Sequence, residues 1–140
     1  MRRVSADAAL GLAWAVALFA SLAVLFIGEV LGQAPCVLCW FQRAFMFPLA
    51  IVLGVGLWWR DPAVGRYSLV LALAGLAVAL WHLGLMTGVV PEAVQPCTAT
   101  GPSCLDENQR VAGVPIPLLS LLAFATIAIL SALSLRASPT

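Results

Sequence analysis

Cys36 and Cys39 follow Pro35 at the head of an apolar stretch, in the run Pro35-Cys36-Val37-Leu38-Cys39-Trp40-Phe41-Gln42-Arg43. A C-x-x-C pair closes a small disulfide that is easily reduced, and a helix N-terminus with a nearby cation stabilises the thiolate formed on opening it. A second pair, Cys97 and Cys104, lies further along with six residues between its members. The chemistry these sulfurs can do is thiol–disulfide exchange. If a helix begins near Cys36, then Cys39 at i+3 and Arg43 at i+7 share its face. Arg43 would lie about 10 Å deeper than Cys36 at a rise of 1.5 Å per residue.

The elements that must hold these residues follow from composition. Apolar residues make up 63% of the 140-residue chain and charged residues 9%, far below the roughly 25% charge of soluble domains. Four stretches reach the ~20 apolar residues that cross a bilayer as a helix: residues 8–31, 39–59, 67–90 and 114–135. The expected fold class is an all-α membrane protein, a four-transmembrane-helix bundle forming one domain over residues 1–140, with an outer redox loop at 91–113. The Met1-Arg2-Arg3 start reads as part of an uncleaved first span rather than a signal peptide, because the apolar run is longer than a signal core and leads directly to the cysteines.

Arginine sets the orientation, since the chain has no lysine. Arg2, Arg3, Arg60, Arg66 and Arg136 all fall at one end of the expected bundle, so both termini are expected in the cytoplasm. With four spans, the first and third connections then emerge together on the outer face, and all four cysteines lie in them. Outside the cytoplasm thiols persist as disulfides. Two inert alternatives use the same sulfurs: structural staples in a non-catalytic scaffold, and a tetrahedral zinc site. The bilayer already enforces helices, the six-residue spacing is loose for a zinc knuckle, and an oxidising face disfavours free thiolates, so neither a metal nor a nucleic-acid partner is expected.

A guanidinium at the depth of Arg43 is costly and marks a functional or pairing role. Glu29, near the end of span one, could pair with it, and His82, late in span three, could either donate a hydrogen bond or a proton to a ligand or simply bond a backbone carbonyl. No haem-attachment, H-E-x-x-H or dinucleotide fingerprint is present, so an electron acceptor must diffuse in. For a dithiol at a membrane edge the candidate is a lipid-soluble quinone, packed near Cys39, Trp40 and Phe41 with a carbonyl facing Arg43, where a cation stabilises developing negative charge.

With Met46 and Pro48-Leu49 after it, the run from Pro35 to Arg43 resembles the DsbB family of disulfide bond formation proteins, most closely its short BdbC-type branch. The likeness extends to Ile27-Gly28-Glu29, to His82, to the spaced second pair and to Gly113-Val114-Pro115-Ile116-Pro117. The vitamin K epoxide reductase family runs similar chemistry with the cysteine pairs in the opposite order. The resemblance implies an oxidase in the bacterial cytoplasmic membrane. It would take two electrons from a soluble thioredoxin-fold partner of the DsbA or BdbD type and pass them to ubiquinone or menaquinone. By the same resemblance Cys97-Cys104 and Cys36-Cys39 are the redox-active disulfides: the partner attacks Cys97, Cys104 attacks Cys36, and Cys39 meets the quinone in a site formed by Arg43, Trp40, His82 and Glu29. The loop here is shorter than in the longer family members, which leaves the order of attack on Cys97 and Cys104 open.

Overall fold

The computed structural model describes residues 2–91, 103–104 and 110–137, with side chains from Ser5 onward. Cys97 and most of the outer loop expected at 91–113 lie outside the described residues.

Four long helices follow from four apolar stretches: α1 over Arg2–Leu25, α2 over Val37–Trp59, α3 over Val64–Met86 and α4 over Ile116–Ala137. All four are long and apolar enough to cross a membrane. They form a ring in which α1 packs on α2, α2 on α3, α3 on α4 and α4 back on α1, while α2 and α4 barely meet. Leu12, Phe19, Ile51, Val70 and Ile129 point outward, as expected where lipid takes the place of water.

With lipid as apolar as leucine, helix association rests on close backbone approach and on polar contacts between helices. Small residues accordingly line the seams. Ala13, Ala17, Ala72 and Ala79 are fully buried, and a Cβ on Gly75 would run into the ring of Phe124, joining α3 to α4. Ser68 Oγ gives its hydrogen to the Val64 carbonyl at 2.9 Å, so Ser131 on α4 is the donor in the 2.9 Å contact between the two hydroxyls.

The helix ends differ from the expected spans for local reasons. α1 widens into a π-helix over Phe26–Val30 and is stopped by Gly32 at φ +68. α3 ends at Met86, short of residue 90, because Gly88 at φ +74 reverses the chain and the Val90 N–H folds back to the Gly84 carbonyl at 3.0 Å. Where the outer loop meets the expected fourth span, β1 (Arg110–Val111) pairs antiparallel with β2 (Val114–Pro115). Its turn residues Ala112 and Gly113 both have positive φ, 51 and 82, the requirement of a tight type I′ hairpin. Ala112 is an unusual residue for such a turn, and no Asn-Gly or Asp-Gly pair announces it.

Candidate functional site

The head of α2 carries the first cysteine pair. Cys36 is its N-cap, extended at φ −71 and ψ 171, and its sulfur accepts the Cys39 N–H at 3.4 Å. A sulfur in this place sits on unpaired helix N–H groups at the positive end of the helix dipole. Cys36 Sγ also donates to Cys39 Sγ at 3.1 Å, so the two sulfurs stand as a hydrogen-bonded dithiol. That hydrogen bond, followed by burial, pushes the Cys36 thiol up to about 12, against a smaller downward pull from His82.

Cys104 arrives from the loop after α3. It is fully buried beside Cys36, with Leu38, Cys39 and Leu85 completing the cluster. Donor atoms of Cys36, His82 and Cys104 all lie within 4.8 Å of one another. His82 organises this group. A carbonyl can only accept, so the 3.1 Å contact between Nε2 and the Cys104 carbonyl fixes the hydrogen on Nε2. Nδ1 is then the acceptor for the Gln42 amide at 3.0 Å. The same Nε2–H lies 3.8 Å from Cys36 Sγ, where it favours negative charge developing on that sulfur. The Gln42 to His82 to Cys104 chain thus ties α2, α3 and the loop together around one sulfur.

Arg43 points away from this cluster. Only 9% exposed, it donates from Nη2 to the Val24 carbonyl of α1 at 3.1 Å. Its guanidinium carbon lies 5.3 Å from the Trp40 ring centroid, a cation–π distance. Gly28 makes room for it: a Cβ there would come within 3.2 Å of Nη2. The passage lies in the π-helical turn, a local widening that recurs at functional sites.

Between α1, α2 and α4 lies an apolar cavity of about 300 Å³. Cys39 and Arg43 are in its wall, along with Gln42, Met46 and Phe124, and so is Gln33, which follows the π-helical turn. Neither Cys36, Cys104 nor His82 lines it. The cysteine pair therefore spans two environments: Cys36 meets the loop cysteine, and Cys39 meets the cavity.

Several expected placements change. His82, with a ligand contact and a backbone-carbonyl bond as its two expected roles, takes the second at Cys104, because α3 is not part of the cavity wall. Glu29 is exposed and makes no ion pair with Arg43 among the described residues. The π-helical turn carries its side chain outward, and the Val24 carbonyl serves the guanidinium in its place. Trp40 is 57% exposed and braces Arg43 from outside rather than walling the cavity. Sequence reasoning gave no role to Gln42 or Gln33. The signal for Gln42 was present, since an amide on the inner face of an apolar helix needs a partner; for Gln33 at a helix exit there was none.

This arrangement accords with comparisons to known proteins. The family described as Disulfide bond formation protein DsbB matches residues 6–134. The chain is 55% identical over 120 residues to a probable disulfide formation protein of Metapseudomonas resinovorans, covering 85% of this chain and 83% of that one. It is 38% identical over 130 residues to a probable disulfide formation protein of Deinococcus radiodurans, covering 86% and 84%. It is 34% identical over 118 residues to disulfide bond formation protein C of Bacillus subtilis (strain 168), covering 83% and 84%. No solved structure matches the chain. A four-helix membrane chain whose paired cysteines meet a loop cysteine on one side and an apolar cavity on the other, and which this family matches from the first helix to the last, belongs to the DsbB family of disulfide bond formation proteins.

Proposed function

We propose that the chain is a quinone-dependent protein-dithiol oxidase, reoxidising a soluble thioredoxin-fold partner of the DsbA or BdbD type on the extracytoplasmic side of the bacterial cytoplasmic membrane. The observation that carries this reading is the split of the cysteine pair: Cys36 packs on Cys104 and His82, while Cys39 and Arg43 line an apolar cavity between α1, α2 and α4.

The relay runs in four exchanges and a final transfer to quinone. A partner thiolate attacks the Cys97–Cys104 disulfide at Cys97, and Cys104 leaves as a thiolate. Cys104 then attacks Cys36, forming the Cys36–Cys104 bond and breaking Cys36–Cys39. The partner's second thiol resolves its bond to Cys97, so that the partner leaves oxidised. Cys97 returns to Cys104, freeing Cys36. The reduced pair finally yields two electrons and two protons to a quinone, regenerating the Cys36–Cys39 disulfide and producing quinol. A quinone, ubiquinone or menaquinone, supplies an electron sink strong enough for this. DsbA's couple lies near −120 mV, and about 1.4 kcal/mol accompanies each 30 mV for two electrons.

The residues of this chain take distinct parts. His82 holds the Cys104 backbone beside Cys36 and favours charge on the Cys36 sulfur as Cys104 attacks. Since Cys39 lines the cavity and Cys36 does not, Cys39 is the sulfur placed to act on a ligand there, and Arg43 offers N–H donors to its carbonyl oxygen. The apolar wall suits a ring that arrives through lipid.

The experiment mixes purified protein, a reduced thioredoxin-fold dithiol protein and a soluble quinone, and follows loss of the quinone's ultraviolet absorbance. Turnover is expected, and it should vanish in Cys97→Ser, Cys104→Ser protein that still binds quinone. Wild-type protein that leaves the quinone oxidised would refute the reading and leave a scaffold with structural bridges.

A further inference from the structure

We propose that the reduced chain holds a soft divalent cation of the zinc type on Cys36 Sγ, Cys104 Sγ and His82 Nε2, a site that exists only while the exchange centre is reduced. The binding claim stands on geometry alone; its consequence for turnover rests on the oxidase reading above.

The observation is a convergence of donors from three parts of the chain. Cys36 caps α2, His82 lies on α3 and Cys104 comes from the loop after it, and all three residues are fully buried. Their donor atoms lie within 4.8 Å of one another. The ligand atoms of a tetrahedral zinc, at about 2.3 Å for sulfur and 2.0–2.1 Å for nitrogen, stand roughly 3.5–3.8 Å apart. Cys36 Sγ and His82 Nε2 are already at 3.8 Å. A shift of about 1 Å in the Cys104 sulfur completes the triangle. Two sulfurs and an imidazole suit zinc, whereas magnesium and calcium take oxygen ligands. The zinc site weighed from the sequence used both cysteine pairs whole; the packing instead joins one cysteine of each pair to a histidine.

Neighbouring groups support these donors. The Cys39 N–H meets Cys36 Sγ at 3.4 Å and favours the thiolate that a metal requires. A metal-binding imidazole gives its other ring hydrogen to an acceptor, and Gln42 stands 3.0 Å from His82 Nδ1. With the ring hydrogen moved to Nδ1 and the amide turned over, the Gln42 side-chain oxygen is that acceptor. His82 Nε2 then exchanges its hydrogen bond to the Cys104 carbonyl for the metal. Capture replaces the thiol protons of Cys36 and Cys104, releasing two protons and transferring no electron. The fourth position is left to water. A dithiol partner has to reach the loop that carries Cys104 from the aqueous side, and a hydrated ion enters by that route. Oxidation abolishes the site, because the Cys36–Cys39 and Cys97–Cys104 disulfides offer no thiolate. Bound zinc in turn keeps Cys36 from re-forming its disulfide, so the site is a brake on reoxidation of the reduced chain.

The test uses full-length protein in detergent, reduced with a phosphine, desalted without oxygen and titrated with Co²⁺ as an optical probe. One cobalt per reduced chain is expected, with thiolate-to-cobalt charge-transfer absorption and tetrahedral ligand-field bands that zinc bleaches. The disulfide form should bind none. Cys36→Ser, Cys104→Ser and His82→Ala should each weaken binding by at least tenfold, and Gln42→Leu by about tenfold, as for loss of a group that orients a ligand. Cys39→Ser and Cys97→Ser should bind as tightly as the wild type; His82→Asn replaces the alanine variant if that one does not fold. Zinc-loaded reduced chain should be reoxidised by a soluble quinone at least tenfold more slowly than metal-free chain and recover with EDTA. Cobalt affinity unaltered by loss of Cys104 or His82, equal binding by the disulfide form, or binding lost with Cys39 instead, would overturn the site while leaving the oxidase reading intact. Reoxidation of the loaded chain at the metal-free rate would overturn the brake. Quinone that reoxidises neither form would overturn the oxidase reading and leave the metal site standing.

Discussion

At the scale of single residues, the polar side chains buried in this bundle separate into two groups. Arg43 belongs to the cavity, where its guanidinium is held by the Val24 carbonyl and the Trp40 ring. Arg43→Ala should raise the quinone KM by at least tenfold, since a charge-assisted hydrogen bond contributes about 1.5–3 kcal/mol; steady-state kinetics at fixed partner concentration checks this. His82 belongs to the exchange centre, donating to the Cys104 carbonyl at 3.1 Å. His82→Ala should slow turnover of the dithiol partner by about fivefold, roughly 1 kcal/mol for one neutral hydrogen bond, and leave the quinone KM unchanged. If the KM rises instead, the histidine acts on the quinone, as the sequence alone had suggested. The π-helical turn links the groups, because Gly28 leaves the space that Arg43 fills.

At the scale of elements, α2 carries most of the chemistry and α1, α3 and α4 give it walls. Its N-cap sulfur, the Gln42 that reaches α3 and the Arg43 that reaches α1 lie within its first two turns, so a small rotation of this helix would disturb both sides at once. The α3–α4 seam holds the frame against that rotation through Gly75 under Phe124 and the Ser68–Ser131 contact. Gly75→Leu should destabilise the bundle by about 1–3 kcal/mol through overpacking, lowering its thermal unfolding temperature in detergent. Gly11, whose added Cβ would meet nothing within 4 Å, is the control: Gly11→Ala should leave that temperature unchanged or slightly raised, as alanine is the better helix former.

At the scale of the whole molecule, the up-and-down ring of four helices puts the α1–α2 connection and the α3–α4 loop at one end, and there Cys104 meets Cys36. We place that end outside the cytoplasm on the distribution of arginine. A membrane-impermeant maleimide should label cysteines in reduced, intact spheroplasts; labelling only after lysis would invert the orientation. Much of this was legible in the residues. Four continuous apolar runs of bilayer length determined four helices, because a run of that length satisfies its backbone polar groups within itself only as a helix, whereas barrel strands are shorter and alternate. The run from Pro35 to Arg43 determined that Cys36, Cys39 and Arg43 share the start of one of them, because helical spacing is a local property. What only the tertiary structure decided is which neighbour each side chain meets. His82 sits near the C-terminal end of a helix whose sequence says nothing about whether it faces Arg43 or Cys104. The widened turn at Phe26–Val30, which turns Glu29 outward and frees Arg43 to bond Val24, leaves no mark in the pattern of apolar residues. The cavity beside Cys39 is a gap among α1, α2 and α4, which exists only once three segments distant in the chain have packed.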